Sequence, residues 1–270
     1  MPAPVQTLPD VHHQVHHPEH IGGPAVVLLH GLGSCGDDWP LQLSPLEPFY
    51  RVITLDLPGH GQSRLPPGWT TVRGLAAPVA ALLERLEEPP AHIVGLSLGG
   101  AVALQLAVDW PARVRSLIIV NSFARMPHLS AGNGRALVRI TLLLFGPMSL
   151  VGKWIAAGLF PGEDQAMLRQ VAAERIAANR RGAYLRLLSA AARFDLRPRL
   201  AEVSCPALIV AGDRDATVPL EAKVELQARI PGARIEIVPD SGHATPLDAH
   251  DAFNALLLGF LHEVDQKHAA

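Results

Sequence analysis

Short apolar runs of strand length recur along this chain and constrain it more than any other feature. Ala25–Leu29, Val52–Leu55, His92–Gly95, Leu117–Val120, Ala207–Ala211 and Ile235–Val238 are each nearly continuous in Val, Ile, Leu and Ala. A strand with one wet face alternates apolar and polar residues, whereas an almost unbroken run suits a strand covered on both faces of a parallel sheet. Helix-length segments lie between the runs, among them Thr71–Leu86, Leu98–Val108, Glu221–Arg229 and Ala249–His262. The alternation predicts an α/β fold built on a doubly wound, mostly parallel sheet.

The rhythm breaks once, between Ser122 and Glu202, where no convincing strand occurs and a helical pattern dominates. Leu168, Val171, Ala172 and Ile176 fall at helical spacing and predict one apolar helix face. A chain of 270 residues accommodates one α/β domain with an insertion. The expected division is a core of residues 1–121 and 203–270 and a helical cap of residues 122–202. Ligands of open α/β sheets bind beyond the carboxyl ends of the strands, so an insertion leaving from such an end would lie over the site.

Composition narrows the partners. The chain is 49% hydrophobic and 18% charged with a net charge of -2, which leaves no electrostatic footprint for nucleic acid or an anionic membrane. The most apolar later stretch, Ile140–Phe160, is interrupted by Gly146, Pro147, Gly152, Lys153 and Gly158, so no membrane span is expected. Two cysteines, Cys35 and Cys205, are too few for a disulfide framework, and Met1–Asp10 lacks the basic and apolar order of a secretory signal. The expected setting is the cytoplasm. Nothing in the composition sets an oligomeric state.

One constellation carries chemistry. Gly95-Leu96-Ser97-Leu98-Gly99 directly follows an apolar strand and directly precedes a helical run. A serine wedged there needs a very tight turn, and glycines on either side remove the side chains that would collide. A serine hydroxyl is a weak nucleophile near neutral pH, so it needs a histidine to take its proton and an acid to orient that histidine. Of the 13 histidines, His243 in Ser241-Gly242-His243 sits in a loop after the last strand, where the chain returns to the carboxyl edge. His92 lies inside a strand, and His250, His262 and His268 fall in or beyond the last helix. For the acid, the loop Ala211-Gly212-Asp213-Arg214-Asp215 offers two carboxylates, and Asp215 is preferred because one turn past the strand it can point back toward the site. The preceding strand ends in Asn121-Ser122, with no acid.

The order Ser97, Asp215, His243 resembles that of the α/β-hydrolase superfamily, on its serine esterase and lactonase side. The resemblance runs along almost the whole chain. His30-Gly31 is similar to the family's oxyanion-loop motif, Asp56-Leu57-Pro58-Gly59-His60-Gly61-Gln62-Ser63 to its strand-end turn, and Gly95–Gly99 to its nucleophile elbow. Gly212-Asp213-Arg214-Asp215 matches its acid loop, with the acid in fourth position, and Gly242-His243 its base loop. The resemblance implies an oxyanion hole formed by the backbone N–H groups of Leu32 and Leu98, a bracing role for His30, and no cofactor or metal. It implies hydrolysis of a carboxylic ester-like bond in a small to medium substrate through an acyl-enzyme. A lactonase, thioesterase or carbon–carbon hydrolase shares that machinery, although Gly33-Ser34-Cys35-Gly36 departs from the Gly-Pro-Gly type loop usual in carbon–carbon hydrolases. A receptor that kept the fold without turnover is the alternative from another class.

The remaining features read as structural. His12, His13, His16, His17 and His20 suggest metal ligands, but Val11–Val15 alternates like an exposed strand and the histidines are expected to be solvated. Cys35 lacks an elbow and is expected in the core or pocket wall. Arg135, Arg139, Arg180, Arg181 and Arg186 are expected on solvated helix faces, and Thr141–Phe145 with Trp154, Leu159 and Phe160 are expected to line a substrate pocket or dock the cap.

Overall fold

The computed structural model describes residues 8–16, 23–66, 69–126 and 141–269. Its strands are β1 (His13–His16), β2 (Val26–Leu29), β3 (Val52–Leu55), β4 (Ala91–Leu96), β5 (Val114–Val120), β6 (Ala207–Gly212) and β7 (Arg234–Val238). Among the described residues they form one sheet in the order β1-β3-β2-β4-β5-β6-β7. Pairings from β3 through β7 are parallel, and β1 alone runs antiparallel, with His13 opposite Leu55 and His16 opposite Val52. The alternating stretch expected over Val11–Val15 is thus the edge strand, which begins two residues later, at His13, and ends at His16.

The unbroken apolar runs follow from burial on both faces. On one face Val27, Leu29, Ile53, Ile93, Ile119 and Ile209 pack under α2 (Val72–Arg85) and α3 (Leu98–Asp109). On the other, Val26, Leu28, Val94, Ile118 and Val210 meet α1 (Pro40–Leu46) and the Phe253, Leu257, Phe260 and Leu261 face of the C-terminal helix His250–Ala269. Alternate residues of one run therefore enter two different cores. β7 departs from the expectation: its pattern is mostly exposed, with Ile237 51% accessible, because it is paired on one side only.

The break after β5 is a helical excursion, as expected. It holds a helical turn over residues 141–145, α4 (Met148–Leu159), α5 (Ala166–Ala177) and α6 (Arg181–Ala192) before the chain rejoins the sheet at β6. At its neck an isolated antiparallel bridge joins Arg125 to Asp195, and the Leu196 N–H donates to the Ala124 carbonyl at 2.8 Å. Its own small core is Leu143, Val151, Ile176 and Tyr184. The predicted face of α5 is corrected here, since Ile176 is buried but Val171 is exposed. Leu144 and Phe145 also face outward, at 50% and 80% accessible, so the apolar run Thr141–Phe145 contributes only Leu143 and the half-buried Leu142 to the interior. α7 (Leu220–Arg229) links β6 to β7, and the single turn α8 (Thr245–Asp248) and α9 (His250–Ala269) follow β7. Among the described residues no helix is long and apolar enough to cross a membrane.

Candidate active site

The strand order places a topological switch between β2 and β4, because the chain moves from β2 outward to β3 and then crosses back to β4. The carboxyl ends of the strands flanking such a switch open a crevice. His30-Gly31 leaves one of those ends and Ser97 leaves the other.

Ser97 is held in a backbone conformation that L-residues avoid, with φ 54° and ψ -114°. Such a conformation persists only when its surroundings impose it. The flanking glycines allow it for two separate reasons. A Cβ on Gly95 would overlap the carbonyl of Gly99, inside the turn itself, whereas a Cβ on Gly99 would overlap the carbonyl of Leu29 on β2. The first glycine closes the turn, and the second lets α3 lie directly against the neighbouring strand. Leu98 opens α3, whose first N–H groups have no acceptor within the helix. On the facing loop, a Cβ on Gly31 would come within 3.5 Å of the Ser97 Cβ, so the backbone around Leu32 runs past the serine.

His30 fixes that loop from behind. Its Nδ1 lies 2.8 Å from the Gly31 carbonyl, and its Nε2 accepts the Leu57 N–H at 3.0 Å, so the ring is neutral with its hydrogen on Nδ1. Burial pushes its pKa down, against the pull of the Gly31 bond. His60 packs edge-on to it at 4.7 Å, and burial holds His60 well below the usual imidazole value.

The loops of Asp215 and His243 meet. His243 Nδ1 is 3.0 Å from both Asp215 oxygens. Thr217 and Val218 donate their N–H groups to Oδ1 at 2.8 and 3.1 Å, and the Lys223 ammonium lies 2.8 Å from Oδ2. Burial alone would raise the Asp215 pKa, but the bond from His243 and the charges of His243 and Lys223 outweigh it and hold the carboxyl down to about 2. An ionised carboxylate only accepts, so an imidazole hydrogen sits on Nδ1, and whenever the ring is neutral Nε2 carries the lone pair. Asp213, the other candidate, instead accepts the Ser241 N–H at 3.3 Å.

The residue that joins these loops is Asn121, passed over in the sequence because it is not an acid. It is fully buried at φ 45°. Its Oδ1 accepts the Gly212 N–H at 2.9 Å, and its Nδ2 donates to the carbonyls of Gly242 and His243 at 3.0 and 2.9 Å and to Thr245 Oγ1 at 2.8 Å. Asp248 completes the base loop by accepting from Ser241 Oγ and the Gly242 N–H, each at 2.8 Å. Next to Asn121, Ser122 Oγ donates to the carbonyl of Ser97 at 2.6 Å.

The insertion touches the loop that carries Leu32 directly. Asn179 Nδ2 donates to the Gly33 carbonyl at 2.9 Å, and Arg175 pairs with Asp38 at 3.0 Å. Asp38 in turn accepts from Ser34 Oγ at 2.5 Å and the Cys35 N–H at 3.2 Å. Cys35 is buried, and burial together with Asp38 lifts its thiol to about 11, which suits a wall residue and not a nucleophile. Both cysteines are free. His12, His13 and His16 engage Asp56, the Val11 carbonyl and Thr54 respectively. Among the described residues no three His, Cys, Asp or Glu side chains converge on a metal-sized site. His92 is buried between Ser116 and Asp265, far down the strand from Ser97. Arg181 donates to the Leu144 and Gly146 carbonyls, while Arg180 and Arg186 are exposed. His17, His20, Arg135 and Arg139 lie outside the described residues.

The chain is 32% identical over 258 residues to RutD, a candidate carbamate hydrolase of Azorhizobium caulinodans, covering 92% of this chain and 94% of that one. It is 33% identical over 249 residues to the dihydrolipoyllysine-residue acetyltransferase component of the acetoin cleaving system of Cupriavidus necator, covering 87% of this chain but only 63% of that longer protein. The crystal structure of the enol-lactonase from Burkholderia xenovorans LB400 superposes with a TM-score of 0.85 at 25% identity, covering 93% of this chain and 96% of the other. The model of the alpha/beta hydrolase family matches residues 26–256, nearly the whole span from β2 into α9. With its sheet, its switch point and this match, the chain belongs to the alpha/beta hydrolase family and is a hydrolase.

Proposed function

We propose that this hydrolase cleaves a carboxylic ester-like bond of a small to medium substrate through an acyl-enzyme on Ser97. The observation that carries the reading is the contact of His243 Nδ1 with both oxygens of an ionised Asp215, at the same sheet edge as a strained, glycine-flanked serine. In this reading Ser97 Oγ attacks the carbonyl carbon while His243 Nε2 takes its proton, and Asp215 stabilises the imidazolium. The N–H groups of Leu32 and Leu98 hold the oxyanion, a contribution of about 3 kcal/mol per donor at comparable sites. His243 then protonates the departing alcohol, and a water activated by the same imidazole releases the acid and restores Ser97. Residues 1–121 and 203–270 act as the catalytic core and residues 122–202 as the cap, in a cytoplasmic protein.

Lactones and carbamates enter the same cycle, since each presents a carbonyl carbon with an oxygen or nitrogen leaving group. The similarity to an enol-lactonase and to a candidate carbamate hydrolase supports including both among the substrates to test. Short-chain nitrophenyl esters, a lactone series and simple carbamates are the panel. Ser97→Ala is expected to abolish hydrolysis of every member that the wild type accepts while leaving the melting temperature unchanged. Turnover retained in that variant overturns the reading. Tight binding of panel members without turnover by the wild type would favour a receptor, and cleavage confined to thioesters or diketones would move the reading to those bonds.

A further inference from the structure

Lys223 is a lysine in an apolar place. It shares the inner face of α7 with Leu226, and its side chain is completely buried, as is that of Asp215 beside it. Burying an ammonium is costly unless it is paired, and its partner here is the carboxylate that also holds His243. We propose that Lys223 is a positioning residue of the site: by occupying Asp215 Oδ2 it fixes the carboxylate against His243 and offsets its charge, so that His243 stays unprotonated and able to act as a base in more acidic solution. The inference rests on the hydrolytic reading above.

The geometry supplies the reason. Oδ1 is held by the Thr217 and Val218 N–H groups and Oδ2 by Lys223, which leaves the face between them for the imidazole. Lys223 and His243 share Oδ2, so Nζ lies within about 6 Å of Nδ1, close enough for two positive charges to oppose each other strongly in a buried setting. A neutral imidazole completes a group of zero net charge with Asp215 and Lys223, whereas an imidazolium leaves one positive charge. Without Lys223 the imidazolium would complete the neutral pair instead.

Among the described residues, the other charges around the pair are engaged elsewhere or exposed. On the acid loop Asp213 holds the Ser241 N–H, and Arg214 pairs with Asp240 of the base loop. Asp248 of α8 holds Ser241 and Gly242. On α7 itself Glu225 pairs with Arg229, and Glu221 is exposed. β6 carries no charged residue, Arg234 of β7 pairs with Glu263 and Glu236 is exposed. In the 3-10 turn Arg197–Glu202 beneath α7, Arg197 pairs with Asp195 and Arg199 with Glu202 and Asp109. Among the described residues Lys223 is therefore the cation that sets the field on Asp215 from behind.

The test is the rate of covalent labelling by a fluorophosphonate probe, measured from pH 4.5 to 9 on the full chain, for wild type, Lys223→Met and Lys223→Gln. Both substitutions remove the charge, and glutamine retains a donor. In both variants the acid limb of the labelling profile is expected to move up by about one pH unit, so that the rate at pH 5.5, relative to each protein's own plateau, falls roughly tenfold. A purely structural lysine would lower the plateau and leave the limb where it is in wild type, which overturns the proposal. So does a failure of both variants to fold, which would assign Lys223 to the fold alone. A wild type that is not labelled overturns the hydrolytic reading itself, and this inference with it.

Discussion

Asn121 donates its side-chain N–H to the backbone carbonyl of His243 at 2.9 Å, while its own carbonyl oxygen accepts from Gly212 at the head of the acid loop. One buried amide thus sets the separation of the two loops on which the proposed acid and base stand. Removing it takes the side-chain partner from the Gly212 N–H and the His243 carbonyl inside the protein, while the Gly242 carbonyl keeps Thr245 Oγ1 at 3.3 Å. Asn121→Ala is expected to lower stability by about 3 kcal/mol, combining unsatisfied buried groups with a positive φ that alanine tolerates poorly. Urea unfolding monitored by fluorescence reads this directly. A loss well under 1 kcal/mol would show that the loops hold their spacing without the amide.

Asp213 and Asp215 sit two residues apart and make different bonds, which separates their substitutions. Asp215→Asn removes the charge facing His243 and is expected to lower kcat by about 10³ to 10⁴-fold, as at comparable acid–histidine pairs. Asp213→Asn keeps an acceptor for the Ser241 N–H and should stay within a few-fold of wild type. Steady-state kinetics on whichever panel substrate is turned over distinguish them, and the reverse ranking would move the acid to Asp213.

Gly99 tests how closely α3 must approach β2. Any Cβ there meets the backbone carbonyl of Leu29, which has no flexible end to yield. Gly99→Ala should cost more than about 3 kcal/mol or prevent soluble expression, because helix and strand must separate to admit it. Near-wild-type melting would mean that α3 can slide without loss.

Asn179 and Arg175 join the insertion to the loop carrying Leu32. Asn179→Ala frees the Gly33 carbonyl, and we expect roughly tenfold slower turnover with less than about 1 kcal/mol lost in global stability. The same loss of rate with a large drop in melting temperature would indicate general loosening and not displacement of the loop.

Acid should weaken this fold before its carboxylates titrate. His30, His60 and His92 are held below their ordinary value by burial, His92 to about 4. The unfolded chain then binds more protons than the folded one, so their contribution to stability is complete above about pH 6.5 and is lost as pH falls through the folded-state values. His92 alone accounts for about 3 kcal/mol between neutral pH and pH 4. Melting temperatures from pH 7.5 to 4 should decline steadily below pH 6.5, and His92→Asn should flatten part of that slope. A flat profile down to pH 4.5 would contradict it.

The parts of this molecule legible in the sequence are those where one short segment creates its own constraint. Gly95 and Gly99 around Ser97 are readable because a tight turn excludes side chains whatever surrounds it. The apolar strand runs are readable because burial on both faces removes alternation. Asn121 and Lys223 were not legible in that way. Asn121 matters only because β5 and β6 are neighbours and the base loop folds back over both, which a local window does not contain. Lys223 did leave a trace, a cation three residues before Leu226 on one helix face, but an amphipathic helix end makes that pattern commonplace. In α5 the error ran the other way: a few apolar residues among alanines have no strong phase, so Val171 could be assigned inward and yet face solvent.

The neck at Arg125–Asp195 and Leu196–Ala124 brings the entry and exit of the helical excursion side by side. A segment whose two ends are already adjacent can lengthen, shorten or be replaced without changing the distance from β5 to β6. Exchange of this segment for one of another length is therefore expected to leave the loops of Asp215 and His243 in an unchanged frame.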